Sequence, residues 1–161
     1  MLGLAILSLV NLNSNNLTAI LVFWSIAGAI GVGFGEEMTN RRTLLVGLRT
    51  KFTEGKVWFF FSTLAFAVLH LPNMFFGAAV LPTISQFVFT FIVGSLLYSV
   101  RRISGTLLLA MLLHGLWDSS VFLPGATGAD PLAVQAVIYP IAIICAVAVI
   151  LKNKGKVVQE Y

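Results

Sequence analysis

Residues 105–123 read GTLLLAMLLHGLWDSSVFL. As an α-helix this stretch rises about 28 Å, close to the roughly 30 Å of hydrocarbon in a bilayer. Yet His114 and Asp118 stand inside it. A charged side chain at the bilayer centre costs roughly 2.5–3.5 kcal/mol even on lenient insertion scales. Two other apolar stretches carry the same kind of interruption. Glu36 follows a long run that begins at Leu17, and His70 closes the run Val57–Leu71. His70 and His114 are the only two histidines of the protein. Polar groups kept at that cost on three apolar segments point to a polar site buried in a membrane.

Composition agrees. Of 161 residues 58% are hydrophobic and 10% charged, and the mean hydropathy is +0.97. Soluble domains run at about 45–50% apolar and 25% charged, so the chain is an integral membrane protein. Its single cysteine, Cys145, excludes an internal disulfide framework and argues against a thiol metal cluster. The net charge of +4 does not indicate nucleic acid, because all ten Lys and Arg fall in three clusters. These are Arg41 to Lys56, Arg101–Arg102, and Lys152 to Lys156, while the intervening connections carry none. This alternation is the positive-inside pattern, with basic loops and C-terminus in the cytoplasm.

The expected architecture is an all-α polytopic transmembrane helical bundle of about five full spans plus a short N-terminal apolar segment. The spans run from Leu17 to the basic residues near Arg49, then Val57–Leu71, Phe76–Val100, Gly105–Leu123 and Pro131–Leu151. Trp58 and Tyr98 fall at cytoplasmic borders, where amphipathic rings are favoured. Met1–Val10 is too short to cross and reads as a half-span or interfacial segment, with neither basic flank nor cleavage site to make it a signal peptide. No repeat or linker divides the chain, which reads as one domain, 1–161, with its motif-bearing core in 17–123.

Counting residues gives depth. At 1.5 Å per residue, Glu36 lies about 20 Å above Arg49, His70 about 21 Å above Lys56, and His114 about 18 Å above Arg102. Three helices thus bring polar groups to one level, and Asp118 follows His114 by one turn on the same face. Glu37 and Arg41 stack in the favourable acid-before-base order. His70 is followed at once by Leu71-Pro72-Asn73, so its helix ends within the membrane, which is tolerated where backbone lines a water-filled cavity. Gly28, Gly31, Gly33 and Gly35 read as close-packing positions, with Gly31 and Gly35 as a small-xxx-small pair. Each histidine alone could be an interhelical hydrogen-bonding device; both at the depth of Glu36 make a site.

Glu36-Glu37-x-x-x-Arg41, Phe66-x-x-x-His70 and His114-x-x-x-Asp118, in that order, resemble the three motifs of the CAAX-prenyl-endopeptidase and bacteriocin-processing (CPBP, or Abi) family of intramembrane proteases. The sequence departs from the family at Met38-Thr39-Asn40, where bulky apolar residues are usual, and carries Asp118 where the family has Asn or Asp. The resemblance implies an intramembrane endopeptidase acting on membrane-anchored or prenylated peptides, in the cell membrane of a prokaryote. Glu36 would activate the water with help from His70, and His114 and Asp118 would hold the oxyanion. Glu37 and Arg41, with Phe66, would support these from behind.

Asp118 complicates the oxyanion role, since an ionised carboxylate only accepts hydrogen bonds. It helps if protonated, or if it fixes the His114 tautomer. Zinc ligation by Glu36, His70, His114 and Asp118 is a further option. No H-E-x-x-H helix is present, and the resemblance to the CAAX branch of the family implies a glutamate-type, metal-free site with no cofactor. Two other classes stay open: a non-proteolytic bacteriocin-immunity or scaffold membrane protein, and a proton-coupled transporter. The chain lacks the repeat symmetry expected of a transporter.

Overall fold

The computed structural model describes residues 17–48, 51–127, 139–141, 143–145, 147–148 and 151–152. The first helix, α1 (Ala19–Glu37), starts at Thr18, whose extended backbone and hydroxyl cap the Leu21 N–H at 3.2 Å. It runs without a break into a π-helical stretch, π1 (Met38–Leu44), and a last α-helical turn, α2 (Leu45–Leu48). The wider π turn weakens the regular ladder, and polar side chains serve its carbonyls. The Thr39 hydroxyl donates to Gly35 O at 2.9 Å, the Asn40 amide to Glu36 O at 2.9 Å, and the Thr43 hydroxyl to Met38 O at 3.2 Å. This accounts for Thr39 and Asn40 standing where apolar residues were expected.

The next crossing is built from α3 (Glu54–Lys56), π2 (Val57–Leu64) and α4 (Ala65–Val68), followed by a 3₁₀ helix, Leu71–Phe76. Gly77, at φ 94, closes the 3₁₀ segment in the left-handed region open to glycine. Helix α5 (Val80–Ser104) then carries Pro82 in its first turn and ends at Gly105, φ 69, whose N–H returns to Arg101 O at 3.0 Å. Helix α6 spans Leu107–Thr127.

Two boundaries differ from expectation. The apolar run Phe76–Val100 is displaced to Val80–Ser104, because Gly77 terminates the preceding segment and the helix continues through Arg101 and Arg102. Basic residues are stabilising in a last helical turn, so their charge did not mark its end. Tyr98 is not an interfacial ring: it is 1% exposed and packs with Leu45 and Val57. Trp58 is half-buried with its ring against Phe59 and Phe91.

The result is an all-α polytopic membrane bundle. Among the described residues three helical segments are long and apolar enough to cross a bilayer, Ala19–Leu44, Val57–Phe76 and Val80–Ser104, and Leu107–Leu123 is a shorter apolar helix. Large apolar side chains such as Phe23, Trp24, Ile30 and Leu81 are exposed, as lipid-facing surfaces require. Met1–Val10 and most of Pro131–Leu151 lie outside the described residues.

Among the described elements, α1 and α6 form the most extensive pairing. They approach at Gly33 and Gly115: a Cβ on Gly33 would lie 2.8 Å from Gly115 N, and one on Gly115 would lie 3.2 Å from Ala29 O. The small-xxx-small pair is therefore Ala29 and Gly33. Gly28, Gly31 and Gly35 have nothing within 4 Å of such a Cβ, so the Gly31–Gly35 reading is corrected. This contact positions Glu36 and Glu37, one turn beyond Gly33, against His114, the residue before Gly115.

Candidate active site

A cavity of about 980 Å³ lies between α1, the His70 turn, α5 and α6. That is within the usual range for ligand sites. Glu36, His70, His114 and Asp118 all line it, so the residues expected at one depth face one space. Phe89, Trp117 and Tyr139 add an aromatic wall, with the Phe89 and Tyr139 rings stacked at 4.6 Å.

The two glutamates part company. Glu36 keeps a third of its side chain exposed (34%), whereas Glu37 is fully buried. Glu37 Oε1 accepts from the Arg41 guanidinium and from His114 Nδ1, the latter at 2.9 Å. The Arg41 guanidinium, also fully buried, donates to Gly94 O at 3.2 Å and lies 4.7 Å over the Phe66 ring. Gly94 leaves little room here, since a Cβ would meet the Phe66 side chain at 3.1 Å and that of Arg41 at 3.3 Å. An Arg101 side-chain N–H donates to the Arg41 carbonyl.

This network decides how His114 stands. A carboxylate only accepts, so Nδ1 carries the proton and Nε2 is turned toward the cavity. Nε2 lies 3.7 Å from Glu36 Oε2 and 3.7 Å from Asp118 Oδ2. Both distances are too long for direct hydrogen bonds and suit a bridging water or substrate atom. The tautomer of His114 is thus held by Glu37, not by Asp118. Asp118 Oδ2 is buried with no hydrogen-bond partner among the described residues.

His70 is oriented by its own helix. Where the helix stops, the His70 N–H turns to Ala67 O at 3.1 Å, which leaves the Phe66 carbonyl for the ring: Nδ1 meets it at 3.1 Å. A carbonyl also only accepts, so Nδ1 of His70 carries a proton and Nε2 is the ring nitrogen left for other partners. The Phe66 ring lies 5.4 Å from that of His70 and 5.7 Å from that of His114. The four-residue spacing of Phe66 and His70 therefore has a structural cause. His70 has no described ion pair with Glu36; the imidazole nearest that carboxylate is His114.

Among the described residues no three His, Cys, Asp or Glu side chains are grouped to hold a metal. Sequence reasoning also missed Gly94, and Asn40 on the Glu36 carbonyl. The polar clamp from Asn73 to Gln86 at 3.1 Å was missed as well. A glycine in an apolar helix and an amide near a charged motif carry no signal of their own in one sequence.

Residues 18–120 match the family described as type II CAAX prenyl endopeptidase Rce1-like. No curated protein and no solved structure matches the chain. The match covers well over half the sequence and contains Glu36, Glu37, Arg41, Phe66, His70, Gly94, His114 and Asp118. The chain belongs to the Rce1-like family of type II CAAX prenyl endopeptidases, membrane-embedded proteases that act on membrane-associated substrates.

Proposed function

We propose that the chain hydrolyses peptide bonds of membrane-anchored polypeptides with a water activated by Glu36. The observation that carries this reading is the division of labour between the paired carboxylates. Glu36 opens on the cavity and faces His114 Nε2 at 3.7 Å, while Glu37 is buried and holds that ring from the other side. A general base needs access to water and a free lone pair, and only Glu36 of the two has both.

In the proposed reaction Glu36 takes a proton from water, assisted by Nε2 of His70, and the hydroxide attacks the scissile carbonyl carbon. The tetrahedral oxyanion is met by Nε2–H of His114 when both ring nitrogens carry a proton, with Nδ1 held in place by Glu37 Oε1. Glu36 then returns its proton to the leaving amine. Arg41 and Phe66 are positioning residues: they fix Glu37 and the two histidine rings. Asp118 serves the oxyanion only in its neutral form, since a carboxylate beside it would repel the developing charge.

The proposal extends to organisation. The chain acts as one domain of five spans, with its basic loops and C-terminus in the cytoplasm of a prokaryotic cell. No metal or other cofactor takes part. Purified chain in liposomes should cleave members of a quenched library of lipid-anchored peptides, with each cut adding one water. A library left uncut by folded protein would overturn the reading.

A further inference from the structure

Two of the buried side-chain atoms that lack a hydrogen-bond partner among the described residues belong to the cavity wall: Asp118 Oδ2 and Tyr139 Oη. The first already has a place in the reaction; the second has none. A buried tyrosine hydroxyl usually finds a partner, and leaving that bond unmade is costly. Packing holds the ring where it is. Tyr139 is 9% exposed, stacks on Phe89 with the ring planes 8° apart, and lies against Trp117 with ring centres 5.9 Å apart. Val93 and Leu97 complete its seat. Other hydroxyls of the wall are spent: those of Thr39, Thr83 and Thr90 each donate to the carbonyl four residues back on their own helices. A hydroxyl has one proton to give, so the Tyr139 hydroxyl is a buried donor in this wall that is still unspent.

A peptide drawn into a membrane cavity to be cut brings carbonyls with no partners of their own, and in apolar surroundings each needs a donor. A phenol suits that need, because its ring withdraws charge from the oxygen and makes it a better donor than acceptor. Trp117, which the Tyr139 ring meets, lies three residues after His114 and directly before Asp118, so Tyr139 borders the reacting centre. A cavity of about 980 Å³ is about 12 Å across if spherical, the length of three or four extended residues. We propose that Tyr139 is a substrate-binding residue: its hydroxyl donates to one backbone carbonyl of the membrane-anchored peptide, within about four residues of the scissile bond, and so helps set where the peptide is cut. Tyr139 lies outside residues 18–120, the stretch that matches the family, so this contact is supplied by a part of the chain that the family match does not reach. The inference rests on the peptidase reading of the site and adds a register-setting contact to it.

The test uses the full chain in liposomes, one lipid-anchored peptide that the wild type cleaves, and Tyr139→Phe, which removes the hydroxyl and keeps the ring stack. For this variant kcat/KM should fall about fivefold, the loss of one hydrogen bond of ordinary strength. The peptide is then made with a thioamide at each uncut bond in turn, since sulfur is a poorer acceptor than oxygen. One thioamide position should lower kcat/KM several-fold in the wild type and have no further effect in Tyr139→Phe, as two partners in one bond require. Thermal unfolding in detergent should place Tyr139→Phe at or above the wild type, because it loses a buried hydroxyl that no described group of the protein answers. A marked loss of stability would mean that the hydroxyl is bonded within the protein, and would overturn the inference. Unchanged kcat/KM, or the same thioamide profile in both proteins, is the result if only water meets the hydroxyl, and would also overturn it. The peptidase reading survives each of these outcomes. Failure of the folded wild type to cleave any lipid-anchored peptide overturns the peptidase reading, and this inference with it.

Discussion

Successive side chains on a helix point about 100° apart, so Glu36 and Glu37 cannot share an environment. Which of them turns inward was not legible in the sequence. The four-residue spacing tied Glu37 to Arg41, but nothing local revealed that the same carboxylate also reaches His114, 77 positions away. The buried pair makes Glu37 a stability residue first. Glu37→Gln keeps an oxygen to accept from His114 Nδ1 and leaves the Arg41 guanidinium without its anion. Breaking a buried pair in this way costs about 3–5 kcal/mol. Thermal unfolding in detergent should show a clear loss of stability, with turnover per folded molecule falling by less than about tenfold. Full stability with abolished turnover would instead give Glu37 the role assigned to Glu36. Asp118→Asn should keep or raise activity, because the amide brings a donor and removes a charge that opposes the oxyanion. Steady-state cleavage checks this, and a loss of activity accompanied by loss of stoichiometric bound metal would restore the zinc alternative.

Among the elements, α1 was legible in length but not in form. Apolar periodicity reports neither a π-helical stretch nor the side chains that serve its carbonyls, so the unusual Thr39 and Asn40 had no explanation before the structure. The helix contact was misread by two residues. Four glycines in eight positions all suit close approach, and only the partner surface at Gly115 selects Gly33 among them. The matching prediction is a paired one. Gly33→Ala puts a methyl 2.8 Å from a backbone nitrogen that cannot rotate away. It should destabilise by about 1–3 kcal/mol, as overpacking does, and pull Glu36 and His114 apart. Gly31→Ala, in open space, should be neutral or slightly stabilising. Equal effects in the two variants, measured by thermal unfolding, would place the α1–α6 contact elsewhere.

For the whole molecule, the membrane class and the convergence of Glu36, His70, His114 and Asp118 were legible because both follow from quantities one sequence contains: apolar length, and the spacing of polar exceptions. Span ends were less so. Hydropathy treats Gly77 as one small residue in an apolar run, whereas the fold uses it as a stop, and it treats Arg101 and Arg102 as a border that the helix crosses. Orientation rests on the three basic clusters. Reporter fusions after Lys56, Arg102 and Lys156 should all lie in the cytoplasm, and a fusion after Arg102 reporting the outside while the others do not would overturn the span order. The central claim, that Glu36 is the base of an intramembrane peptidase, is tested most directly by one substitution. Glu36→Gln removes the proton acceptor at nearly constant shape and exchanges a charge for a neutral amide, so the folded protein should persist. Turnover of a lipid-anchored peptide per folded molecule should fall by at least about 10²-fold, the lower range for loss of a general base. Cleavage at the wild-type rate by well-folded Glu36→Gln protein would contradict the account.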